Sequence, residues 1–299
     1  MKRKIKLLAA FTLILTITTL MFMGCAKSEP TNSIGTTPTK IADGTNTPVG
    51  EKATVVKVVT NNNYYPLSYL DESGTLVGYA IDVAKLVDDA LPQYEFKIEA
   101  SSGDAILLGL ESGTYDVAIG GFYWNPEREK KFIYPEFDGG GIVGVVAKKE
   151  NEDVKNLSDV ATKGLKVAPT LAIGGIIGVL NKYNEENAGN KVKFDTIDTR
   201  TEADIWKGIL DGRYDVDVAN KHTWNQIVAK EEGKKFKEEL VFNSFTVVKS
   251  YDLFNKSQTK LAADYSEVIK KLKSDGSLSK LSQKWFGEDL FKLITDDDK

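Results

Sequence analysis

Large apolar residues fall in short runs along this chain, and the spacing within the runs changes from one segment to the next. Val55, Val56, Val58 and Val59 make a run suited to a buried strand, and Asn61, Asn62 and Asn63 break it, which predicts a loop. Between Tyr79 and Leu91, Val83, Leu86, Val87 and Ala90 recur at helical spacing. Pro92 ends that segment, and Tyr94, Phe96 and Ile98 then alternate as in a second strand. Near the other end, Leu261 to Ser274 and Leu278 to Phe286 read as two helices, separated by Asp275-Gly276 and closed by Gly287. The tail, Asp296 to Lys299, is expected to be disordered.

An internal echo organises the middle of the chain. Ile106, Gly109, Gly113, Tyr115, Asp116 and Val117 recur ninety-nine positions later as Ile205, Gly208, Gly212, Tyr214, Asp215 and Val216. Both copies read helix, glycine turn, strand. The echo suggests two similar α/β lobes, although Gly-x-Tyr-Asp-Val also suits any helix-to-strand turn. In open α/β sheets ligands gather beyond the carboxyl ends of strands, near helix N-termini. That rule singles out Gly120 to Trp124 and Ala219 to Trp224.

The chain start is different in character. Lys2, Arg3, Lys4 and Lys6 precede an uncharged apolar run from Leu7 to Met23, so residues 1–24 read as an export signal. Gly24 and then Cys25, the sole cysteine, resemble the lipobox of bacterial lipoproteins, in which Cys25 is lipidated, although Phe22 stands where Leu is usual. An uncleaved anchor helix is the alternative. Residues 25–52 are rich in Thr, Pro, Ser, Asn and Gly, poor in large apolar residues, and expected to be a flexible tether.

Composition narrows the function classes. With 299 residues, 41% of them hydrophobic, the chain suffices for two compact lobes. A single cysteine leaves no disulfide framework for an exported body. The formal net charge is −4, and about −8 once the four cations of the leading segment are set aside, which disfavours nucleic acid as a partner. No His/Asp/Glu cluster has metal-ligand spacing, so no metal is expected.

Several stretches together resemble the extracellular solute-binding proteins of the polar amino acid ABC transporter type. They are Tyr64-Tyr65-Pro66-Leu67-Ser68-Tyr69, Gly78-Tyr79-Ala80-Ile81-Asp82-Val83-Ala84, Leu110-Glu111-Ser112-Gly113-Thr114-Tyr115-Asp116-Val117, Asn125-Pro126-Glu127-Arg128 and Lys284-Trp285-Phe286-Gly287. The resemblance runs from about Val55 to Phe291. It implies a two-lobed, periplasmic-binding-protein-like (type II) α/β fold, each lobe a mixed sheet flanked by helices, joined by two hinge strands. Residues 53–145 and 246–299 would form lobe one and residues 146–245 lobe two.

The same resemblance assigns roles in the cleft. Arg128 stands at the family's carboxylate-binding position, and a guanidinium offers the planar fork a carboxylate needs. Tyr64 matches a position that stacks on ligand. Gly121, Phe122, Tyr123 and Trp124 lie on the facing loop; at least one of these three rings should point into the core, and Tyr123, aligned with a ligand-contacting Thr, is the favoured contact. Three departures stand out. Where family members place a Gly-Thr pair, this chain has Ile173-Gly174, so only backbone amides at an expected helix start are left to help hold a carboxylate. Asn220 replaces the Asp that usually pairs with a ligand ammonium, and Asn61 replaces an acid found in some members. His222, the only histidine, could contact ligand, but a lone loop histidine is more often solvated or locally hydrogen-bonded.

The implied function is the solute-binding component of an ABC importer, an extracytoplasmic protein lipid-anchored to the cell membrane. It would capture a small carboxylate-bearing solute, an amino acid or derivative, by lobe closure, acting as a monomer with a membrane permease and without a cofactor. Two alternatives remain open: an exported enzyme of the same fold, a dehydratase acting on cyclic carboxylates, and a ligand sensor. For the enzyme, Glu136, Asp138 and Asp104 are the acids expected near the cleft.

Overall fold

The computed structural model describes residues 52–295. The expected signal, Cys25 with its expected lipidation, nearly all of the expected tether and the tail from Asp296 lie outside the described residues.

Six strands of five or more residues carry the fold: β1 (Thr54–Asn61), β2 (Tyr94–Ser101), β3 (Val117–Tyr123), β4 (Gly139–Lys148), β5 (Val216–Asn220) and β6 (Leu240–Asn255). The helices are α1 (Tyr79–Ala90), α2 (Gly103–Glu111), α3 (Pro126–Lys131), α4 (Leu157–Thr162), α5 (Ile176–Glu186), α6 (Glu202–Leu210), α7 (Lys221–Val228), α8 (Lys234–Glu239), α9 (Thr259–Ser274) and α10 (Ser277–Phe286). The strand order is β5-β4-β6-β3-β1-β2. β1 runs parallel to β2 and β3, whereas β6 is antiparallel to both β3 and β4, and β5 is antiparallel to β4.

The fold is two-lobed, and each lobe is packed on both faces of its strands. In the first lobe Val56 and Val58 join α1, α9 and α10 in one cluster, while Val59, one residue on, joins α2 in another. In the second, Val143, Val145 and Ala147 of β4 face the α4 and α5 side, and Val146 faces fully buried Trp206 of α6. Such two-sided burial explains why β1 and β4 read as continuous apolar runs rather than alternating ones.

The echo is structural. In both copies a glycine with positive φ, Gly113 or Gly212, turns helix into strand. Each copy then folds in the same way: Tyr115 or Tyr214 lies across the Cα of Gly109 or Gly208, leaving no room for a Cβ. Asp116 accepts a hydrogen bond from Lys57 N at 2.8 Å, and Asp215 from Lys166 N at 2.7 Å. One βα unit with one side-chain staple therefore underlies both lobes.

β4 and β6 run from one lobe into the other as a continuous antiparallel ladder, from Gly139 opposite Ser250 to Lys148 opposite Leu240. The sheets of the two lobes thus merge through these strands rather than standing apart. The register shifts once, between Ser244 and Thr246, leaving Phe245 as the extra residue. A bulge of this kind bends a strand locally.

Candidate functional site

Between the lobes lies a cleft of about 500 Å³, lined from the first lobe by the ends of β1 and β3 and from the second by the end of β5 and the starts of α5 and α6. Both loops singled out by the strand-end rule contribute to it.

Arg128 reaches the cleft because α3 begins where it does. The side chain of Asn125 caps that helix, accepting from Glu127 N at 2.9 Å and Arg128 N at 3.1 Å, and Pro126 takes the first helical position, where no amide is needed. The guanidinium lies 5.6 Å from the centre of the Phe122 ring and donates from Nη2 to Ile173 O, 2.7 Å away on the other lobe. Among the described residues it has no carboxylate partner, and burial pulls its pKa below the usual arginine range. A partly desolvated cation without a counter-charge is a receptor for an anion.

Tyr123 joins the lobes. Its hydroxyl donates to Asn220 Oδ1 at 2.6 Å, and its ring rests on Gly175, where a Cβ would lie 2.4 Å from Cδ2. Tyr123 is 8% exposed, so it is the core-pointing ring of the three, and it makes an interlobe contact as well. Tyr64 makes another: its hydroxyl and His222 Nε2 are 3.1 Å apart, with the rings edge to face. Enclosure lowers the His222 pKa to about 4, so the imidazole is neutral at pH 7. Gly121 closes the loop with φ +77, and a Cβ there would sit 3.1 Å from Leu67 Cδ1. Asn61 also lines the cleft, its Oδ1 capping the turn at Asn63 N.

Other expectations need correction. Trp124 does not line the cleft; it lies beyond the Tyr123–Gly175 contact, in a second concavity with Tyr183, Phe245 and Val247. Ile173 turns an exposed side chain to solvent and gives the cleft's arginine a carbonyl, and the Gly174 amide is taken by Leu171 O. The helix start expected around Ile173 to Gly175 comes at the end of that stretch, with Gly175 as cap of α5 after Leu171 to Gly174 close a turn of their own. The Asn220 oxygen already accepts one hydrogen bond, from the Tyr123 phenol.

Two of the three expected acids also lie elsewhere. Asp138 is buried with Asp252 around the Tyr265 hydroxyl, 2.8 Å from the first carboxyl and 2.9 Å from the second, and its single proton can go to only one of them; Glu136 pairs with Lys273. Neither lines the cleft. The acid that does is Glu202, at the first position of α6, with Arg200 beside it. A signal for this group was present: Asp217 sits in an otherwise apolar strand, and a buried carboxylate demands a cation. Arg200 supplies it at 2.7 Å. Among the described residues no group of three His, Cys, Asp or Glu is placed to hold a metal ion.

The model of the bacterial extracellular solute-binding proteins, family 3, matches residues 56–288. The chain belongs to this family. The family 3 protein is 29% identical over 249 residues to the L-cystine-binding protein TcyJ of Bacillus subtilis, covering 83% of this chain and 90% of the relative. The L-cystine-binding protein TcyA of the same organism is also 29% identical, over 81% of this chain and 85% of the relative. Among solved structures, a putative L-cystine ABC transporter from Listeria monocytogenes superposes with a TM-score of 0.57 at 25% identity, covering 79% of this chain and 97% of the other. A family 3 protein of this kind is an extracytoplasmic solute-binding protein of the ABC importer type, and its relatives are transport binding proteins rather than enzymes.

Proposed function

We propose that the cleft captures one small carboxylate-bearing solute, an amino acid or a derivative of one, and presents it to a membrane permease. The observation that carries this reading is Arg128, a half-buried guanidinium at the cleft with no carboxylate partner among the described residues. The carboxylate binds the fork of Arg128, with Tyr64 and Phe122 beside it. Residues 53–145 and 246–299 move as one lobe and residues 146–245 as the other, about the Phe245 bulge. Names of the Bacillus subtilis relatives make L-cystine the first solute to try.

The test is a thermal-shift panel of amino acids, L-cystine, and simple mono- and dicarboxylates, since a ligand raises stability in step with its occupancy. A panel in which none of these carboxylate-bearing solutes stabilises the protein refutes the reading. We further propose that Cys25 carries a lipid anchor; membrane retention and fatty-acid labelling that survive Cys25→Ser would refute that assignment.

A further inference from the structure

The cleft holds charge of both signs, and the negative side has an unassigned member. Arg200, only 4% exposed at its side chain, donates from Nη2 to Asp217 Oδ2 at 2.7 Å and from Nη1 to Pro169 O at 2.8 Å. Asp217 also accepts from Trp206 Nε1 at 3.0 Å. Asp217 thus cancels the arginine's charge. Glu202 Oε1 lies 3.4 Å from Arg200 Nε, and that buried nitrogen makes no hydrogen bond. Arg200, Asp217 and Glu202 together carry one surplus negative charge, and the partly open member is Glu202, 33% exposed at its side chain and lining the cleft.

Tyr64 lines the same cleft as Glu202, from the other lobe. Burial first, and then the Glu202 charge, push the Tyr64 phenol up to about 12. Asn220 is neutral and its oxygen is already used by Tyr123. The cleft therefore has a positive pole at Arg128 and a negative pole at Glu202, with no net charge between them.

We propose that Glu202 is the ammonium-binding residue of the cleft, so that the site selects zwitterionic amino acids over the same acids lacking the amino group. This rests on the carboxylate reading of Arg128. The solute lies with its carboxylate on the guanidinium and its cationic nitrogen between the Glu202 carboxylate and the Tyr64 ring. If Glu202 instead served only to brace Arg200, its loss would weaken every ligand alike.

The test measures affinity by titration calorimetry for matched pairs: the standard amino acids and L-cystine, each against its des-amino acid, with 3,3′-dithiodipropionic acid as the partner of cystine. Wild type should prefer the best amino acid over its des-amino partner by roughly 10- to 100-fold, the range of a charge-assisted hydrogen bond. Glu202→Gln should remove that preference by weakening the amino acid alone, and Glu202→Asp should keep part of it. Melting of the unliganded variants checks that they fold, and Glu202→Asp carries the test if Glu202→Gln does not. Equal binding of both partners by wild type, with both lost in Arg128→Ala, overturns the Glu202 assignment while leaving the carboxylate reading intact. Equal weakening of both partners by Glu202→Gln overturns it too. Failure of every acid in both panels to bind overturns the carboxylate reading itself.

Discussion

Removing one oxygen from the interlobe contact should shift how readily the lobes come together. In Tyr123→Phe the ring keeps its seat on Gly175, but Asn220 Oδ1 loses the donor now 2.6 Å away. The hydroxyl is buried, lodged so close to Gly141 of β4 that a Cβ there would lie 1.9 Å from it, so water cannot simply take its place. An acceptor stranded in this way costs about 1 to 3 kcal/mol. With the lobes apart, both groups are hydrated, so the whole effect falls on the closed form. Closure should become about 5- to 150-fold less favourable, and ligand affinity should fall in the same proportion where the open form dominates without ligand. Calorimetry with the best amino acid gives the affinity, and small-angle scattering gives the radius of gyration without and with ligand. An unchanged affinity together with an unchanged scattering curve would refute the reasoning.

Arg128→Ala should lower affinity for the best carboxylate by more than about thirtyfold, since losing one partner of a desolvated pair typically costs about 2 to 5 kcal/mol; calorimetry showing full affinity would remove Arg128 from the site. Arg200→Met leaves Asp217 buried and unpaired, so stability measured in urea should fall by about 3 to 5 kcal/mol, and adding Asp217→Asn should restore part of it. His222 is held near pKa 4, below about 6.5 for the unfolded chain, so the unfolded chain binds more protons between those values. Its contribution is intact above about pH 6.5 and is lost as pH falls toward 4, by about 1 to 3 kcal/mol. Asp138, raised to about 6 by burial, acts in the opposite sense over a similar range, so the His222 part is read as the difference between wild type and His222→Asn. Parallel stability profiles for the two proteins would refute it.

The architecture was legible where one element decides its own pattern. Val83, Leu86 and Val87 mark α1 because one helix face packs on one sheet, and the Gly113 and Gly212 turns carry the same chemistry in both lobes. Arg128 was legible through its family position and reaches the cleft through an ordinary capped helix start. The pairs Tyr123 with Asn220, Tyr64 with His222 and Arg128 with Ile173 were not, because each joins residues on different lobes and depends on how the lobes meet. No periodicity encodes that. Glu202 was passed over because it opens an unremarkable amphipathic helix; only the burial of Arg200 and Asp217 behind it shows that its carboxylate faces the cleft. Trp124 was misread because a twist at Gly120 and Gly121 precedes it, so strand alternation no longer fixes its direction.

The ladder of β4 and β6, interrupted only at Phe245, sets the energy scale of the proposed closure. A bend at the Phe245 bulge can turn one lobe against the other without parting the hydrogen bonds on either side of it. In the proposed closure the backbone serves as a flexure, and the resting angle is set by side-chain contacts worth a few kcal/mol at most. One of these, Lys221 with Glu288 at 2.8 Å, stands beside Gly140 and Gly141 of β4 and outside the cleft. Affinity in such a molecule can be raised or lowered by residues that never meet the solute, so sensitivity to concentration and choice of solute are free to change independently.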